Sequence, residues 1–155
     1  MRTFISYSIN DTDQYLLTLL SSELYKKGVT ITQSNDFHLD MSSLTKVNIN
    51  KSNLFIGIIT GFGQEKDRVL KEWQLANVSN VPSILLIENT VQIAPNFNSP
   101  YIIFDRNNPQ NAINQLNKKI TELKKEIEKN PNALPWILGG AALLAIFGLL
   151  SSNEK

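Results

Sequence analysis

The chain has 155 residues, 42% of them apolar, enough for one domain with a buried core, and it contains no Cys and a single His. That composition excludes a disulfide scaffold, a thiolate nucleophile, a Cys-based zinc site and a His-rich metal centre. Fifteen basic side chains against fourteen acidic ones leave a net charge of +1, a field that does not favour nucleic acid.

Thr3 to Ser8 (TFISYS) reads as a short strand, and Asp11 to Asp13 offer N-cap chemistry for the periodic helix YLLTLLSSELYKK, which Gly28 ends. Val29 to Thr32 (VTIT) predicts a second strand, followed by the polar stretch QSNDFHLD and a weaker helix over Ser42 to Ser52. Leu54 to Thr60 (LFIGIIT) is apolar on both faces, the pattern of a central parallel strand. Gly61 and Gly63 turn the chain into a helix from about Lys66 to Asn77. Ser83 to Ile87 and Tyr101 to Phe104 give the fourth and fifth strands. Five strands separated by helical connections predict an open, mostly parallel α/β sheet with helices on both faces and a ligand crevice beyond the strand C-termini.

Near the C-terminus Ile113, Leu116, Ile120, Leu123 and Ile127 recur at spacings of 3, 4, 3 and 4 in a Lys-, Glu- and Asn-rich segment, with Pro109 near its start. This amphipathic helix either covers the domain or pairs with another chain as a short coiled coil. Pro131 and Pro135 break or bend the chain beyond it. No charge occurs from Asn130 to Asn153, and Leu134 to Leu150 is a run of seventeen apolar residues, close to the ~20 that cross a bilayer. We read one C-terminal transmembrane helix over 134–152, joined to the 1–129 domain by a linker at 130–133 and followed by a short tail at 153–155. A buried core helix and a surface-seeking amphipathic one are the alternatives. Lys118, Lys119, Lys124, Lys125 and Lys129 precede the span and only Lys155 follows it, which places the N-terminal domain in the cytoplasm. MRTFISYS does not resemble a targeting segment. Ala141 and Ala145, flanked by Gly140 and Gly148, are small enough for helices to approach closely.

Candidate chemistry collects at the predicted strand ends. Tyr7, Ser8 and Asp11 follow the first strand, although Asp11 has an equal use as a helix cap and Tyr7 as a packing residue. In the helix after the third strand, Val69, Leu70, Trp73 and Ala76 suit packing on the sheet, while Arg68 and Glu72 share a neighbouring face one turn apart. Taken alone, such a pair is a solvated ion pair. Beside the crevice, a carboxylate at Glu72 can accept hydrogen bonds from ribose hydroxyls and stabilise an oxocarbenium-like centre. The GFG loop before this helix lacks both the dinucleotide and the P-loop fingerprints, so a kinase or dehydrogenase is not indicated. His38 has no Ser or Asp arrangement of a nucleophilic triad and reads as a loop residue beside Asp36 and Phe37.

FISYSINDTD, the polar loop after the second strand, INKSNLFIGIIT and DRVLKEWQLA together resemble the Toll/interleukin-1 receptor (TIR) domain over roughly Met1 to Lys129. The resemblance implies a flavodoxin-like three-layer fold with a central five-stranded parallel sheet. It implies that Glu72 is the glutamate that enzymatic members use to cleave the nicotinamide–ribose bond of NAD+, with NAD+ as substrate and no cofactor or metal needed. Tyr7 and Ser8 match the nucleotide pocket, and Asp36, Phe37 and His38 fall by position in the loop that closes over the site or mediates assembly. Arg68 stands where the family often has an aromatic residue, and Trp73 follows Glu72 instead. Nucleoside deoxyribosyltransferase-like proteins share the sheet and a crevice glutamate, which keeps nucleoside chemistry open. The Asn- and Lys-rich composition suggests a bacterial source, where TIR proteins resemble defence effectors that consume NAD+. Two readings follow: a membrane-anchored NAD+ glycohydrolase completed by homo-oligomeric TIR–TIR contacts, and a non-catalytic TIR module that only assembles at the membrane.

Overall fold

In the computed structural model, which describes residues 1–7, 14–34, 36, 40–61 and 65–129, the apolar runs LFIGII and SILLIE form the middle of the sheet. The elements in chain order are β1 (Arg2–Tyr7), α1 (Gln14–Lys26), β2 (Thr30–Gln33), α2 (Ser43–Asn50), β3 (Leu54–Ile59), α3 (Lys66–Val78), β4 (Ser83–Glu88), β5 (Tyr101–Phe104) and α4 (Gln110–Lys129). All pairings are parallel and the strand order is β2-β1-β3-β4-β5, the flavodoxin-like order. Every residue of β3 and β4 is buried, whereas β2 is partly exposed and β5 alternates, as edge strands do.

Because successive strand residues point to opposite faces, the sheet feeds two cores. On one face Ile5, Ile56, Ile84 and Phe104 meet Leu17, Leu20 and Leu24 of α1 and Leu116, Ile120 and Leu123 of α4. On the other, Phe4, Phe55, Leu85 and Ile87 meet Ile49 of α2 and Val69, Trp73 and Ala76 of α3. The layers are therefore the three that the alternation of elements predicts. The stripe on α4 is spent on the domain: Ile113, Leu116, Ile120 and Leu123 are buried, and Lys124 Nζ donates to the Lys27 carbonyl at 2.8 Å. Of the two uses open to that stripe in the sequence, covering the sheet is the one observed. Gly28 ends α1 with a left-handed φ of 67°, which frees the Val29 N–H to reach back to the Leu24 carbonyl at 3.2 Å.

One expectation fails. The connection from β4 to β5 contains no helix, so the strands are not all separated by helical crossovers. The segment NTVQIAPNFNSP carries two prolines and three asparagines, which remove backbone donors and favour turns over a helical ladder. The apolar segment 134–152 and its flanks at 130–133 and 153–155 lie outside the described residues. Among the described residues, no helix is long and apolar enough to cross a membrane.

Gly57, in the middle of β3, is the point at which α3 approaches the sheet. A Cβ there would stand 2.6 Å from Leu85 Cδ2 and 3.2 Å from Val69 Cγ1 of α3. Gly57→Val is expected to lower the unfolding free energy by about 1–3 kcal/mol through overpacking, measured by urea denaturation.

Candidate functional site

In this strand order the chain steps from β1 to β2 on one side and then crosses back past β1 to β3 on the other, and the crevice of such a sheet lies outside the C-terminal ends of the strands at that switch point. Tyr7 ends β1, Gln33 ends β2, and six residues separate the end of β3 from the start of α3. The helix packs Val69, Trp73 and Ala76 on the sheet, and the helical repeat then turns Arg68 and Glu72 toward the ends of β1 and β2.

Arg68 is the hub. Its Nη1 donates to Glu72 Oε1 at 3.2 Å, and its Nη2 donates to Glu65 Oε2 at 3.1 Å and to the main-chain carbonyl of Tyr7. The pair expected to be solvated is instead enclosed, Arg68 being 3% exposed and Glu72 0%. The solvated reading fails because an isolated helix pattern does not show what covers its second face; here the ends of β1 and β2 cover it.

Glu72 Oε1 also accepts a 2.6 Å hydrogen bond from Ser34 Oγ, while Glu72 Oε2 and Arg68 Nε are buried without a hydrogen-bond partner among the described residues. Ser34 follows β2 directly and is held by its own N–H, which donates to the Ile5 carbonyl at 3.3 Å. It was not a candidate in the sequence. Its one signal was position, a hydroxyl two residues past a predicted strand end. Asp36 lies next to this cluster: its N–H donates to Ser34 Oγ at 3.4 Å, and its Oδ2 accepts from the Ser42 N–H at 2.9 Å. Burial works against its charge, but the Ser42 N–H, the Thr45 and Ser42 hydroxyls and the Arg68 guanidinium outweigh burial and hold the Asp36 carboxyl below its ordinary value. The Tyr7 phenol, which donates to Gln33 Oε1 at 3.5 Å, is raised by burial, with Arg68 opposing and Glu65 adding to the rise.

The structure thus brings Tyr7, Asp36, Arg68 and Glu72 together. It places Trp73 elsewhere, in the core of the α2–α3 face with its ring 5.7 Å from that of Phe97. Ser8, Asp11 and Phe37, like His38, lie outside the described residues. Among the described residues no group of three or more His, Asp or Glu side chains is placed to hold a metal ion.

A second buried glutamate stands on the same rim. Glu88, the last residue of β4 and 2% exposed, accepts from the Gly61 N–H at 2.6 Å and from Arg106 Nε at 2.8 Å. Burial alone would raise its carboxyl; Arg106, the Gly61 N–H and the Thr90 hydroxyl outweigh that and hold it below the ordinary value.

No protein-family model matches the chain, and no curated protein matches it. Solved structures do. The CMP N-glycosidase BcmB of Clostridium botulinum is similar with a TM-score of 0.56 and 19% identity, over 76% of this chain and 99% of that one. The sugar isomerase domain of the RpiR transcription factor from Sphaerobacter thermophilus gives a TM-score of 0.51 and 13% identity, over 97% of this chain and 78% of that one. The TIR domains of the activated Roq1 resistosome give 0.47 and 14%, over 98% of each chain. At these identities the likeness establishes the fold: a parallel α/β domain of five strands with helices on both faces.

Two outcomes test the electrostatics of this rim. Arg68→Met leaves Glu72 buried without its cation and is expected to cost about 3–5 kcal/mol in chemical denaturation, and Glu72→Met added to it recovers at least half of the loss. For Glu88, a carboxyl held low in the folded state stabilises above its unfolded pKa, and that stability is lost as pH falls through the folded value. Between about pH 7 and about pH 3 the thermal midpoint of Glu88→Gln is therefore expected to fall less than that of the wild type.

Proposed function

We propose that the chain is an N-ribosyl glycohydrolase that cleaves the nicotinamide–ribose bond of NAD+, with Glu72 acting on the ribose. The observation that carries this reading is the asymmetry of the Glu72 carboxylate: Ser34 and Arg68 both donate to Oε1, and Oε2 has no partner. A buried acceptor without a donor is costly unless something completes it. A ribose hydroxyl or the attacking water is the kind of donor that completes it.

The chemistry suits a site with one free carboxylate oxygen. When the C–N bond breaks, positive charge grows on the ribose C1′ and ring oxygen, and a nearby carboxylate stabilises it. Nicotinamide in NAD+ carries a positive charge and leaves with the bonding electron pair as a neutral base, so no acid need protonate it. Water adds to C1′ and loses a proton, giving ADP-ribose, nicotinamide and H+. A pyrimidine carries no charge while attached and departs as an anion unless it is protonated, so its release needs a proton donor that nicotinamide release does not. Release of nicotinamide from NAD+ therefore asks less of the site, and the N-glycosidase among the structural neighbours acts on the same kind of bond. The motif resemblance to TIR domains supports the same substrate. Self-assembly through TIR–TIR contacts, attachment to a bilayer through 134–152 with the domain on the cytoplasmic side, and a role in bacterial anti-phage defence belong to this proposal.

A second reading has its own support. The complete enclosure of Glu72 with Arg68 is what a structural ion pair looks like, and it favours a non-catalytic assembly module. Nicotinamide release from NAD+ by the full chain in detergent or lipid, over a concentration series, separates the two. The glycohydrolase reading expects turnover that falls at least a hundredfold in Glu72→Gln, which keeps the side chain's shape. Equal rates in the two proteins, or no release from a folded and oligomeric wild type, decide for the assembly module.

A further inference from the structure

We infer that Ser34 is a positioning residue for Glu72, fixing which carboxylate oxygen faces the substrate. The inference rests on the glycohydrolase reading and adds a residue to it. A glutamate's terminal torsion is soft, so a single donor leaves the carboxylate free to turn about the Cγ–Cδ bond. Here two donors converge on one oxygen from different elements: Arg68 Nη1 from the preceding turn of α3, and Ser34 Oγ from the end of β2. Together they pin Oε1 and leave Oε2, buried and without a donor among the described residues, as the oxygen that a ribose hydroxyl would complete.

The direction of the Ser34 hydrogen bond follows from its neighbours. A hydroxyl has one proton to give and lone pairs to accept with. The Asp36 N–H points at Ser34 Oγ from 3.4 Å and takes an accepting position, so the single Ser34 proton goes to Glu72 at 2.6 Å. Neither end of this contact has freedom to drift. The Ser34 backbone is tied to β1 through the Ile5 carbonyl, its side chain is buried, and Asp36 is itself held by the Ser42 N–H at the start of α2. The serine does not touch the reacting atoms; it acts through Glu72.

The test is steady-state NAD+ hydrolysis by the full-length wild type, Ser34→Ala, Ser34→Thr and Glu72→Gln, each rate normalised to the folded fraction from the circular dichroism of the same sample. Positioning expects kcat of Ser34→Ala to fall about tenfold with KM within about twofold, because the hydrogen bond orients the reacting carboxylate without contacting NAD+. Ser34→Thr, which keeps the hydroxyl, restores kcat to within about threefold. A Ser34→Ala protein that is less stable but has wild-type kcat per folded molecule overturns the inference and leaves the glycohydrolase reading standing, provided Glu72→Gln is inactive. Equal loss in the Ala and Thr variants also overturns it, since the hydroxyl is then not what matters. A wild type that releases no nicotinamide, or a fully active Glu72→Gln, overturns both.

Discussion

The buried guanidinium of Arg68 is the contact on which the geometry of the rim depends. It joins the last residue of β1, through the Tyr7 carbonyl, to the first turn of α3, through Glu65, and to the second turn, through Glu72. An arginine suits this because its planar fork offers several donors at fixed angles, whereas a lysine offers one point charge. Desolvating a cation and an anion together is expensive, and the added bonds to the Tyr7 carbonyl and Glu65 compensate in the way a lone pair of charges does not. The consequence is that α3 cannot rotate or slide without breaking an interaction inside the core. Glu72 is held on a helix, locked to a strand, in the part of the sheet where ligands bind.

Below that contact, the close approach of α3 depends on the absence of a side chain at Gly57. Val69 and Leu85 already occupy the space a Cβ would take. A larger residue at this point of β3 would push α3 outward and would carry Arg68 away from the Tyr7 carbonyl. The packing of the central strand and the electrostatics at its C-terminal end are thus one constraint expressed at two places, one strand residue apart in register: Tyr7 pairs with Ile58, and Gly57 with Ser6.

What the sequence disclosed follows from which interactions are local. The fully apolar LFIGII, the 3-4-3-4 stripe ending at Ile127 and the glycine after α1 each report burial or a cap within a few residues, and each appears where expected. The β4–β5 connection was misread because alternation of elements was extended to a segment whose prolines and asparagines oppose it. Trp73 shows the limit of adjacency: next to Glu72 in sequence, it points 100° away around the helix and packs on Phe97. Ser34 was invisible for the opposite reason. Thirty-eight residues separate it from Glu72, and only the parallel pairing of β2 with β1 brings it there.

Two buried glutamates on one rim differ in a way that sorts their roles. At Glu88 both oxygens are engaged: Arg106 Nε donates to Oε1, and the Gly61 N–H and Arg106 Nη2 to Oε2, the latter at 3.4 Å. That carboxylate ties the start of the β3–α3 turn to the end of β4 and has nothing left to offer a ligand. Glu72 is as buried, with its cation at 3.2 Å against 2.8 Å at Glu88, yet its donors among the described residues crowd one oxygen. A protein that needed only the ion pair would gain by satisfying the second oxygen as it does at Glu88. Oε2 of Glu72 and Nε of Arg68 are instead buried without a partner among the described residues, a cost that the proposed ribose hydroxyl would relieve by supplying both a donor and an acceptor.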